Sequence, residues 1–570
     1  AALVVIGLVF GTSAFFSGFY DTTVWEPILL GCLSLLVAFI IARPAVPAVP
    51  AAVAIGGLLA LWLWSLLSGT WTEATDLAVT DANRWLLYGV VLVLLLYLAN
   101  DAESRRWLLG ATTAGAIVVA AYVLVRFISG DGPDLFVGSR LDGPLGYING
   151  VASYLVVGIW PLVALAEWAR NPLVRGVSVF AAVQLISVAI LTQSRGAVLA
   201  LIATTALLLI VVPGRLTRAW ALLVILGGVA ISVPVLRDVI NNDGTAPTAD
   251  ALRSVAEASL AGGLVAGLIW TLACFAMAAV ARQSSSTGRT MRGISIAAIT
   301  VITLIGVAGA FANPGQRIDQ VQNQYETFTS LQSTVSEGGS RLASGGGNRY
   351  DYWRVAVKQF ETHPINGVGA GNYNSTYYQE RSTSEDIQQA HSIELQALGE
   401  LGLVGGLALS AFLGAVSFGF WRTARGSRYQ RANPAIAVAA GGTFMVWFFQ
   451  TSVDWMHLIP GLTGIALCAA AALLPSLRPL NRRAPVAMIV AVAVVAGLAA
   501  YPVANQLLAL QLQSKAGDKL RTDPIGSLED SQKSLSLQPA QRTYYLESAA
   551  FARLGLYEPA REALLTASRR

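Results

Sequence analysis

Residues 399–421 read GELGLVGGLALSAFLGAVSFGFW, an apolar run whose single charged side chain is Glu400. A helix rises about 1.5 Å per residue, so a run of this length crosses the roughly 30 Å hydrocarbon core of a bilayer. Similar runs recur along the chain. Hydrophobic residues make up 55% of the sequence and charged residues only 12%, against roughly 25% charged residues in soluble domains. This composition predicts an all-α polytopic membrane protein.

About fifteen apolar runs are candidate membrane spans, with an error of one or two because hydropathy alone sets the count. The first is expected to be a true span rather than a signal peptide, since it lacks a basic n-region and a cleavage site. The candidates are residues 2–19, 27–43, 51–68, 85–99, 107–128, 149–168, 174–192, 196–212, 218–236, 260–281, 292–312, 399–421, 434–451, 457–475 and 484–507.

The distribution of arginine predicts the orientation of these spans, because loops rich in Lys and Arg stay on the cytoplasmic side. One set of alternate loops is arginine-rich and includes Arg105, Arg106, Arg289, Arg292, Arg422, Arg425, Arg482 and Arg483. The other set is sparser and holds Arg84, Arg126, Arg140, Arg195, Arg237 and Arg253. The N-terminus is therefore predicted to be cytoplasmic, and the polar segment 313–398 and the C-terminal tail extracytoplasmic.

The segment 313–398 is the longest polar interruption between apolar runs. Loops carried on a rigid scaffold often hold functional residues, so we expect the chemistry there. The predicted organisation has four parts: transmembrane helices over 1–312 with an outer hairpin at Arg195, a large extracytoplasmic catalytic loop over 313–398, C-terminal transmembrane helices over 399–508, and a helical extracytoplasmic tail over 509–570.

The tail resembles part of a tetratricopeptide repeat. Its sequence Leu554-Gly-Leu-Tyr557-Glu-Pro-Ala560 is followed by Ala567, and Pro524 and Pro539 lie where such repeats turn. The resemblance covers about one and a half repeats, and a plain helical hairpin remains the alternative. A repeat-like tail predicts a possible protein or polymer partner.

Within the polar loop, the segment from Asn348 to Phe360 has helical periodicity. Tyr350, Trp353, Val357 and Phe360 recur on one face, which suits a helix at the membrane surface. Arg349 starts this helix, where its side chain and the helix N-terminus could together face an anion.

Two further side chains are candidates for chemistry on the predicted outer side. Arg195, in Thr192-Gln-Ser-Arg-Gly-Ala197, offers a planar fork of donors that suits phosphate oxygens, although an arginine that reaches lipid headgroups is the alternative. His391, in Gln389-Ala-His-Ser392, has the side chain suited to accept a proton from a hydroxyl, although a capping or solvent-exposed histidine is the alternative. Of the other two histidines, His363 is expected in a helix-ending turn, and His457 in a short outer loop near Asp454.

Together, and in this order, these segments resemble the O-antigen ligase / Wzy polymerase superfamily of membrane glycosyltransferases. The resemblance covers about 150–475 and also rests on Pro364-Ile-Asn-Gly367-Val-Gly369-Ala-Gly371 and Gly399-Glu-Leu-Gly402-Leu-Val-Gly405. It implies a GT-C-like helical bundle of about 12–15 transmembrane helices in the bacterial plasma (inner) membrane. The chain departs from the family in having Ser392 where Asn often follows the histidine, and in its larger number of apolar runs.

The resemblance also implies roles for individual residues. Arg195 and Arg349 match the arginines that hold the donor diphosphate, and His391 matches the general base. Asp454, Arg140 and Glu394 are possible secondary members of the site. The family implies a metal-independent, inverting enzyme without a cofactor. The glycine runs 345–347 and 367–371 are predicted to let the large loop close over the site.

The implied activity is transfer of a glycan from an undecaprenyl or decaprenyl diphosphate donor to an acceptor hydroxyl on the outer face of the membrane. The acceptor is a lipid, a glycan or a protein, and no nucleic acid is involved. A ligase, a Wzy-type polymerase of repeat units and an O-linked protein oligosaccharyltransferase all stay open. A transporter of polyprenyl-linked glycans or solutes is disfavoured, because the sequence has no internal repeat and few ionisable residues in the middle of its spans.

Overall fold

A computed structural model describes residues 1–241, 244–281, 322–323, 326, 329, 348–426, 432–480 and 485–568. In these ranges, 12 helices are long and apolar enough to cross a membrane. The prediction of an all-α polytopic membrane protein is therefore confirmed. Together with two shorter apolar helices, they correspond to every predicted run except 292–312, which lies outside the described residues.

The first part of the chain is a succession of helices with short connections. A 3₁₀ segment, Ser13–Phe19, follows α1, and two-residue strands β1 to β3 are Ala45–Val46, Phe136–Val137 and Arg140–Leu141. The helices are α1 Ala2–Thr12, α2 Thr22–Ala42, α3 Val49–Ser68, α4 Thr75–Leu98, α5 Ala102–Ser129, α6 Ile148–Val157, α7 Ile159–Trp168, α8 Pro172–Ile190, α9 Arg195–Val211, α10 Arg215–Ile240 and α11 Ala249–Ala281.

The second part begins at Arg349 and ends in four consecutive helices. Strand β4, Arg478–Pro479, pairs with β1, and β2 pairs with β3. The helices are α12 Arg349–Thr362, α13 Tyr373–Glu380, α14 Ile393–Arg425, α15 Pro434–Thr451, α16 Pro460–Leu473, α17 Val486–Lys519, α18 Pro524–Leu537, α19 Gln541–Arg553 and α20 Tyr557–Ser568.

The chain forms two compact units, of which the first comprises Ala1–Gly18, Asp101–Tyr350 and Ser417–Leu474. Its helices approach closely at glycines. A Cβ added at Gly115 of α5 would collide with the backbone of Gly11 on α1. The pairs Gly228–Gly262 and Gly176–Gly267 bring α11 equally close to α10 and α8. Small residues allow such contacts between membrane helices, where close packing replaces the hydrophobic effect as the driving force.

A buried ion pair fastens α7 to α10 in the first unit. Arg218 donates through Nε and NH2 to the carboxylate of Glu167, at 2.8 and 3.2 Å. Its NH1 donates to the carbonyls of Leu208 and Val212, 2.7 and 3.2 Å away, and so satisfies the end of α9. Each partner therefore depends on the other for charge compensation in a buried position.

We expect Arg218→Ala to destabilise the protein by about 3–5 kcal/mol, because it leaves the charge of Glu167 buried and uncompensated. The measurement is the thermal unfolding midpoint of the purified protein in detergent. Arg215→Ala is the matched control, since Arg215 is exposed one turn earlier on the same helix. Equal midpoints for the two variants would contradict a stabilising role of the pair.

The second unit comprises Phe19–Asn100, Asp351–Val416 and Pro475–Arg570. Its long helix α17 continues without a break from a membrane span into the tail. Buried Gln506 on α17 accepts a hydrogen bond from Asn83 at 2.8 Å and donates to the hydroxyl of Thr80. Gln538 donates to the carbonyl of Asp76 at 3.4 Å. The tail is thus attached to α4 by polar contacts.

The tail consists of helices that pack against their neighbours in sequence. Ser527 of α18 donates to the carbonyl of Ala516 on α17, and Ser548 of α19 donates to that of Ala560 on α20, both at 2.7 Å. This succession of antiparallel helix pairs is the arrangement that repeat proteins use. The predicted domain boundary at 508 falls inside α17.

Helix α4 begins at Thr75, earlier than the predicted span 85–99, and this changes the location of Arg84. The sequence predicts Arg84 in an outer loop. In the structure it lies inside α4, pairs with Asp81 and places its guanidinium 5.7 Å from the ring centre of Trp25. The ion pair with Asp81 and the contact with the ring of Trp25 compensate the charge of Arg84 inside α4, whereas hydropathy alone predicts this residue outside the helix.

Ionisable residues do occur inside the span helices, and the expectation that few lie in mid-span stays a prediction. Several are buried within span helices, each with polar neighbours, as membrane-buried charges generally require. They are Glu26, Arg84 and Glu400 in the second unit, and Glu167 and Arg218 in the first. The orientation of the spans stays a prediction.

Candidate active site

A buried carboxylate, Asp454, organises the candidate site of the first unit. It lies between α15 and α16 with 1% of its surface exposed. Its Oδ1 accepts from the hydroxyl of Tyr147 at 2.8 Å, and its Oδ2 accepts from the side-chain amide of Asn149 at 2.8 Å. Oδ2 also accepts from NH2 of Arg349 at 2.7 Å. Such donors stabilise a carboxylate removed from water.

Arg349, the first residue of α12, uses one nitrogen for this contact, and 25% of its side-chain surface is exposed. In the part of the chain that the structure describes, its ion pair with Asp454 is the one polar contact recorded for its side chain. A guanidinium has five N–H donors in a planar fork. Arg349 therefore combines a fixed edge with donors suited to an anion such as phosphate.

Arg195 begins α9 and is half-buried. The preceding Ser194 caps this helix, since its hydroxyl accepts from the amide of Ala197 at 3.4 Å. A Cβ added at Gly196 would lie 3.3 Å from Cγ2 of Val453, the residue before Asp454. The start of α9 thus adjoins the turn that binds Arg349. The first unit therefore places the helix start that carries Arg195 next to the turn that contacts Arg349.

Arg140 supports the turn that precedes Arg195. Its Nε donates to the carbonyl of Thr192 at 3.0 Å. Gln193 has a positive φ of 50° and donates from its amide to the carbonyl of Ser139 at 3.2 Å. Two hydrogen bonds therefore join the hairpin of β2 and β3 to the Thr192–Ser194 turn, and the role of Arg140 as a secondary member of the site stays a prediction.

The hydroxyl of Tyr147 is fixed as a donor. Burial, together with the charge of Asp454, raises the pKa of Tyr147 well above its ordinary value. The phenol therefore stays protonated over the physiological pH range and donates a hydrogen bond to Asp454. A neutral Tyr147 adds no negative charge beside Arg349.

His391, in the second unit, lies between α13 and α14 with a φ of 55°, in the left-handed region. Its Nδ1 is 3.0 Å from the carbonyl oxygen of Gln389. A carbonyl only accepts hydrogen bonds, so Nδ1 carries the proton of the neutral ring and Nε2 carries the lone pair. This is the tautomer that a general base needs.

Aromatic side chains hold His391 in place. The ring of Tyr352 packs against the imidazole with centroids 5.0 Å apart, and the indole of Trp353 donates to the carbonyl of His391 at 3.4 Å. The hydroxyl of Tyr352 donates to Glu385, and the hydroxyl of Tyr373 donates to the carbonyl of Tyr352 at 3.0 Å. The histidine therefore lies on a packed aromatic cluster.

Helix α12 is present as predicted, but it packs through a different face from the predicted stripe. It buries Tyr352, Val355 and Ala356, whereas Tyr350 and Val357 are 36% and 41% exposed. The helix has two apolar stripes, and the one that meets the aromatic cluster is buried. The membrane-surface location of the other stripe stays a prediction.

Glu394 lies at the start of α14, just after His391. It accepts a hydrogen bond from the hydroxyl of Ser392 at 3.0 Å, and that hydroxyl accepts from the amide of Leu395 at 3.4 Å. Ser392 therefore caps α14. The residue that departs from the family pattern fixes the helix that follows the histidine.

The glycine run 367–371 packs closely against α14, and its predicted part in closure of the loop stays a prediction. The amides of Gly371 and Tyr373 donate to the carboxylate of Glu400 at 3.0 and 3.3 Å, and that of Gly369 donates to the carbonyl of Glu400 at 2.8 Å. A Cβ at Gly367 would collide with Glu400. Close approach to α14 explains these glycines. The run 345–347 lies outside the described residues.

The other two histidines, His363 and His457, differ in exposure. His457 is buried and shares its Nδ1 with the hydroxyl of Thr451 at 3.0 Å, and His363 is exposed. Across the described ranges, no group of three or more His, Cys, Asp and Glu side chains is placed to hold a metal ion. The proposed absence of a metal from the reaction stays a prediction.

Sequence reasoning missed Tyr147, Asn149, Trp455 and Gln389. A signal for the first two exists. Tyr147-Ile-Asn149 stands at the start of an apolar run, on the same predicted side as Asp454. Polar side chains at the outer ends of two spans are candidates to meet. Gln389 contacts His391 through its backbone carbonyl, and the identity of a side chain does not predict a backbone contact.

Comparison with known proteins gives one match. The family model Wzy_C, described as O-Antigen ligase, matches residues 253–410. No curated protein matches the chain. The matched segment contains Arg349, His391 and Glu394, and lies between Arg195 and Asp454 in the sequence. Residues 253–410 are therefore an O-antigen ligase family domain within a polytopic membrane protein.

Proposed function

We propose that this protein transfers a glycan from a polyprenyl diphosphate donor to an acceptor hydroxyl at the outer face of the bacterial plasma membrane, as a polysaccharide or O-antigen-type ligase. The O-antigen ligase family domain supports the class of lipid-linked substrate. The observations that support the proposal are that Arg349 binds Asp454 and that the start of α9, where Arg195 lies, adjoins the same turn. Two guanidinium groups that meet at this turn would suit a diphosphate.

In this proposal, Arg195 and Arg349 bind the diphosphate of the donor. When the bond between the anomeric carbon and the phosphate oxygen breaks, negative charge grows on that oxygen. Two cations held in place stabilise this charge. A diphosphate is already a good leaving group, so it needs charge stabilisation rather than protonation. Asp454 orients Arg349, and Arg140 supports the turn before Arg195.

His391 is the proposed general base. Its Nε2 takes the proton of the acceptor hydroxyl while the oxygen attacks the anomeric carbon from the face opposite the diphosphate. The new glycosidic bond forms, the polyprenyl diphosphate leaves with the electron pair of the broken bond, and the configuration inverts. The imidazolium then loses its proton to solvent. Glu394 and Ser392 fix the start of α14 beside the base, and no step requires a metal.

The large extracytoplasmic segment 313–398 is the proposed catalytic loop, between transmembrane parts 1–312 and 399–508. The tail, 509–570, is the proposed contact for a protein or polymer partner. Its attachment to α4 through Gln506 and Gln538 supports a fixed location relative to that span. The acceptor is a lipid, a glycan or a protein.

The test is a transfer assay with the full-length protein in liposomes, cell-extracted polyprenyl-diphosphate glycan as donor and membrane-extracted acceptors. We expect a glycosylated acceptor and an equal amount of released polyprenyl diphosphate, with the same rate in EDTA. Lengthened donor glycans without a second acceptor would identify a polymerase instead. Movement of intact donor across the bilayer would support a transporter, and loss of activity in EDTA would contradict the metal-independent mechanism.

A further inference from the structure

Two aromatic rings beside Asp454 have no role in the proposed reaction. The rings of Tyr147 and Trp455 pack together with centroids 4.4 Å apart and planes inclined by 32°. The hydroxyl of Tyr147 donates to Oδ1 of Asp454 at 2.8 Å, and the backbone amide of Trp455 donates to the same oxygen at 2.9 Å. One carboxylate therefore holds both aromatic residues and Arg349.

The ring pair is partly exposed but rests on a buried base. Tyr147 and Trp455 are both half-buried, whereas Asp454, Met456 and His457 are buried. A side chain whose neighbours are packed and hydrogen-bonded keeps its orientation before a ligand arrives. Such preorganisation reduces the entropy lost on binding. The two half-buried ring residues are thus held in place by the carboxylate that also binds Arg349.

Their chemistry suits a sugar ring. One face of a pyranose carries C–H groups and its edge carries hydroxyls, and aromatic side chains likewise combine an apolar body with a polar tip. Ligand sites generally pair an aromatic lining with a few placed polar groups. Here the polar groups are the side-chain amide of Asn149, the hydroxyl of Tyr147 and the guanidinium of Arg349, all bonded to Asp454.

We infer that Tyr147 and Trp455 form the subsite for the sugar directly attached to the donor diphosphate. The inference rests on the proposed function, since the sugar is placed by a diphosphate bound at Arg349. A ring pair that served only the packing of the first unit would have no reason to discriminate between ligands. Contact with lipid headgroups, where Tyr and Trp are also frequent, predicts no dependence on the sugar either.

The inference separates two contributions to donor binding. Arg349 contributes to the affinity for every polyprenyl diphosphate, with or without a glycan. Trp455 contributes only when a sugar is present. The two residues can be told apart by comparing one probe that has the sugar with one that lacks it.

The experiment measures the affinity of the full-length protein in detergent for undecaprenyl diphosphate and for cell-extracted undecaprenyl-diphosphate-linked glycan. We expect Trp455→Leu to weaken glycan-linked binding by about fivefold to tenfold and to leave undecaprenyl diphosphate binding unchanged. Trp455→Phe, which retains a ring, should lose less. Arg349→Gln should weaken both probes.

Equal losses for the two probes in Trp455→Leu would overturn the sugar subsite, because the ring would then only support the Asp454 turn. Unchanged binding of both probes would overturn it as well. Thermal unfolding midpoints of the variants show whether a loss of affinity comes from misfolding. If Trp455→Leu is misfolded, the affinities of Trp455→Phe and wild type for the two probes are compared instead. Binding of neither probe by the wild type would instead overturn the proposed function, and the subsite with it.

Discussion

Replacement of His391 by alanine is expected to lower glycan transfer by about 10²–10⁴-fold, the usual contribution of a general base. Affinity for the donor should be retained, because the proposed diphosphate ligands are Arg195 and Arg349. The measurement is the rate of glycosylated acceptor formation at saturating donor, together with donor affinity in the same preparation. Loss of rate with retained affinity assigns the residue to the chemical step.

The pH profile adds a second measurement. A base must be unprotonated to act, so kcat/KM of the wild type should fall on the acid side of its profile. We expect this acid limb to disappear from the residual activity of His391→Ala. A residue that only shaped the loop would lower the rate at every pH without removing the limb.

Controls for this prediction must account for the backbone. His391 has a φ of 55°, a conformation that Asn tolerates better than most residues. His391→Asn therefore removes the base with less strain than alanine and should lose as much activity. His363→Ala is the matched control, since His363 is exposed, and it should keep wild-type activity. Transfer by His391→Asn at the wild-type rate would remove the base assignment.

The sequence predicts the helices of this protein well because their cause is local. Runs of apolar residues are long enough to span a bilayer wherever they occur, and the helices follow them. The limits of the helices are less predictable. Helix α4 includes Asp81 and Arg84 because they pair with each other and meet Trp25 of α2. That compensation comes from contacts inside and between helices, which hydropathy does not contain.

The candidate site is predictable only in part. Arg195, Arg349 and His391 follow from a family motif rather than from spacing. The contacts of Asp454 join Tyr147 and Arg349 across long separations in the sequence, and no local pattern encodes them. The glycine run 367–371 is ambiguous in the sequence, since a glycine fits both a hinge and a close contact. The structure shows the close contact, with the backbone of Glu400, and the hinge stays a prediction.

Arg349→Lys is expected to lower kcat by about 10²–10³-fold, as for removal of one preorganised donor of developing charge. The geometry of Asp454 explains why lysine is a poor substitute. One nitrogen of Arg349 is fixed by Asp454 at 2.7 Å, and the rigid fork places its other donors relative to that contact. An ammonium group is a point charge, and when paired with Asp454 it has no second planar edge to offer a phosphate.

Two matched variants decide whether this loss reflects phosphate binding. Arg354→Lys changes an arginine one turn along the same helix, where the partner is Asp351, and should retain most activity. Asp454→Asn keeps the size of the side chain but removes the charge that orients Arg349, so it should lower kcat less than Arg349→Lys. Wild-type turnover in Arg349→Lys would contradict the assignment of Arg349 as a ligand of the donor diphosphate. A loss in Asp454→Asn that exceeds the loss in Arg349→Lys would show that the carboxylate acts on more than this arginine. Asp454 also accepts a hydrogen bond from Tyr147, which belongs to the inferred sugar subsite.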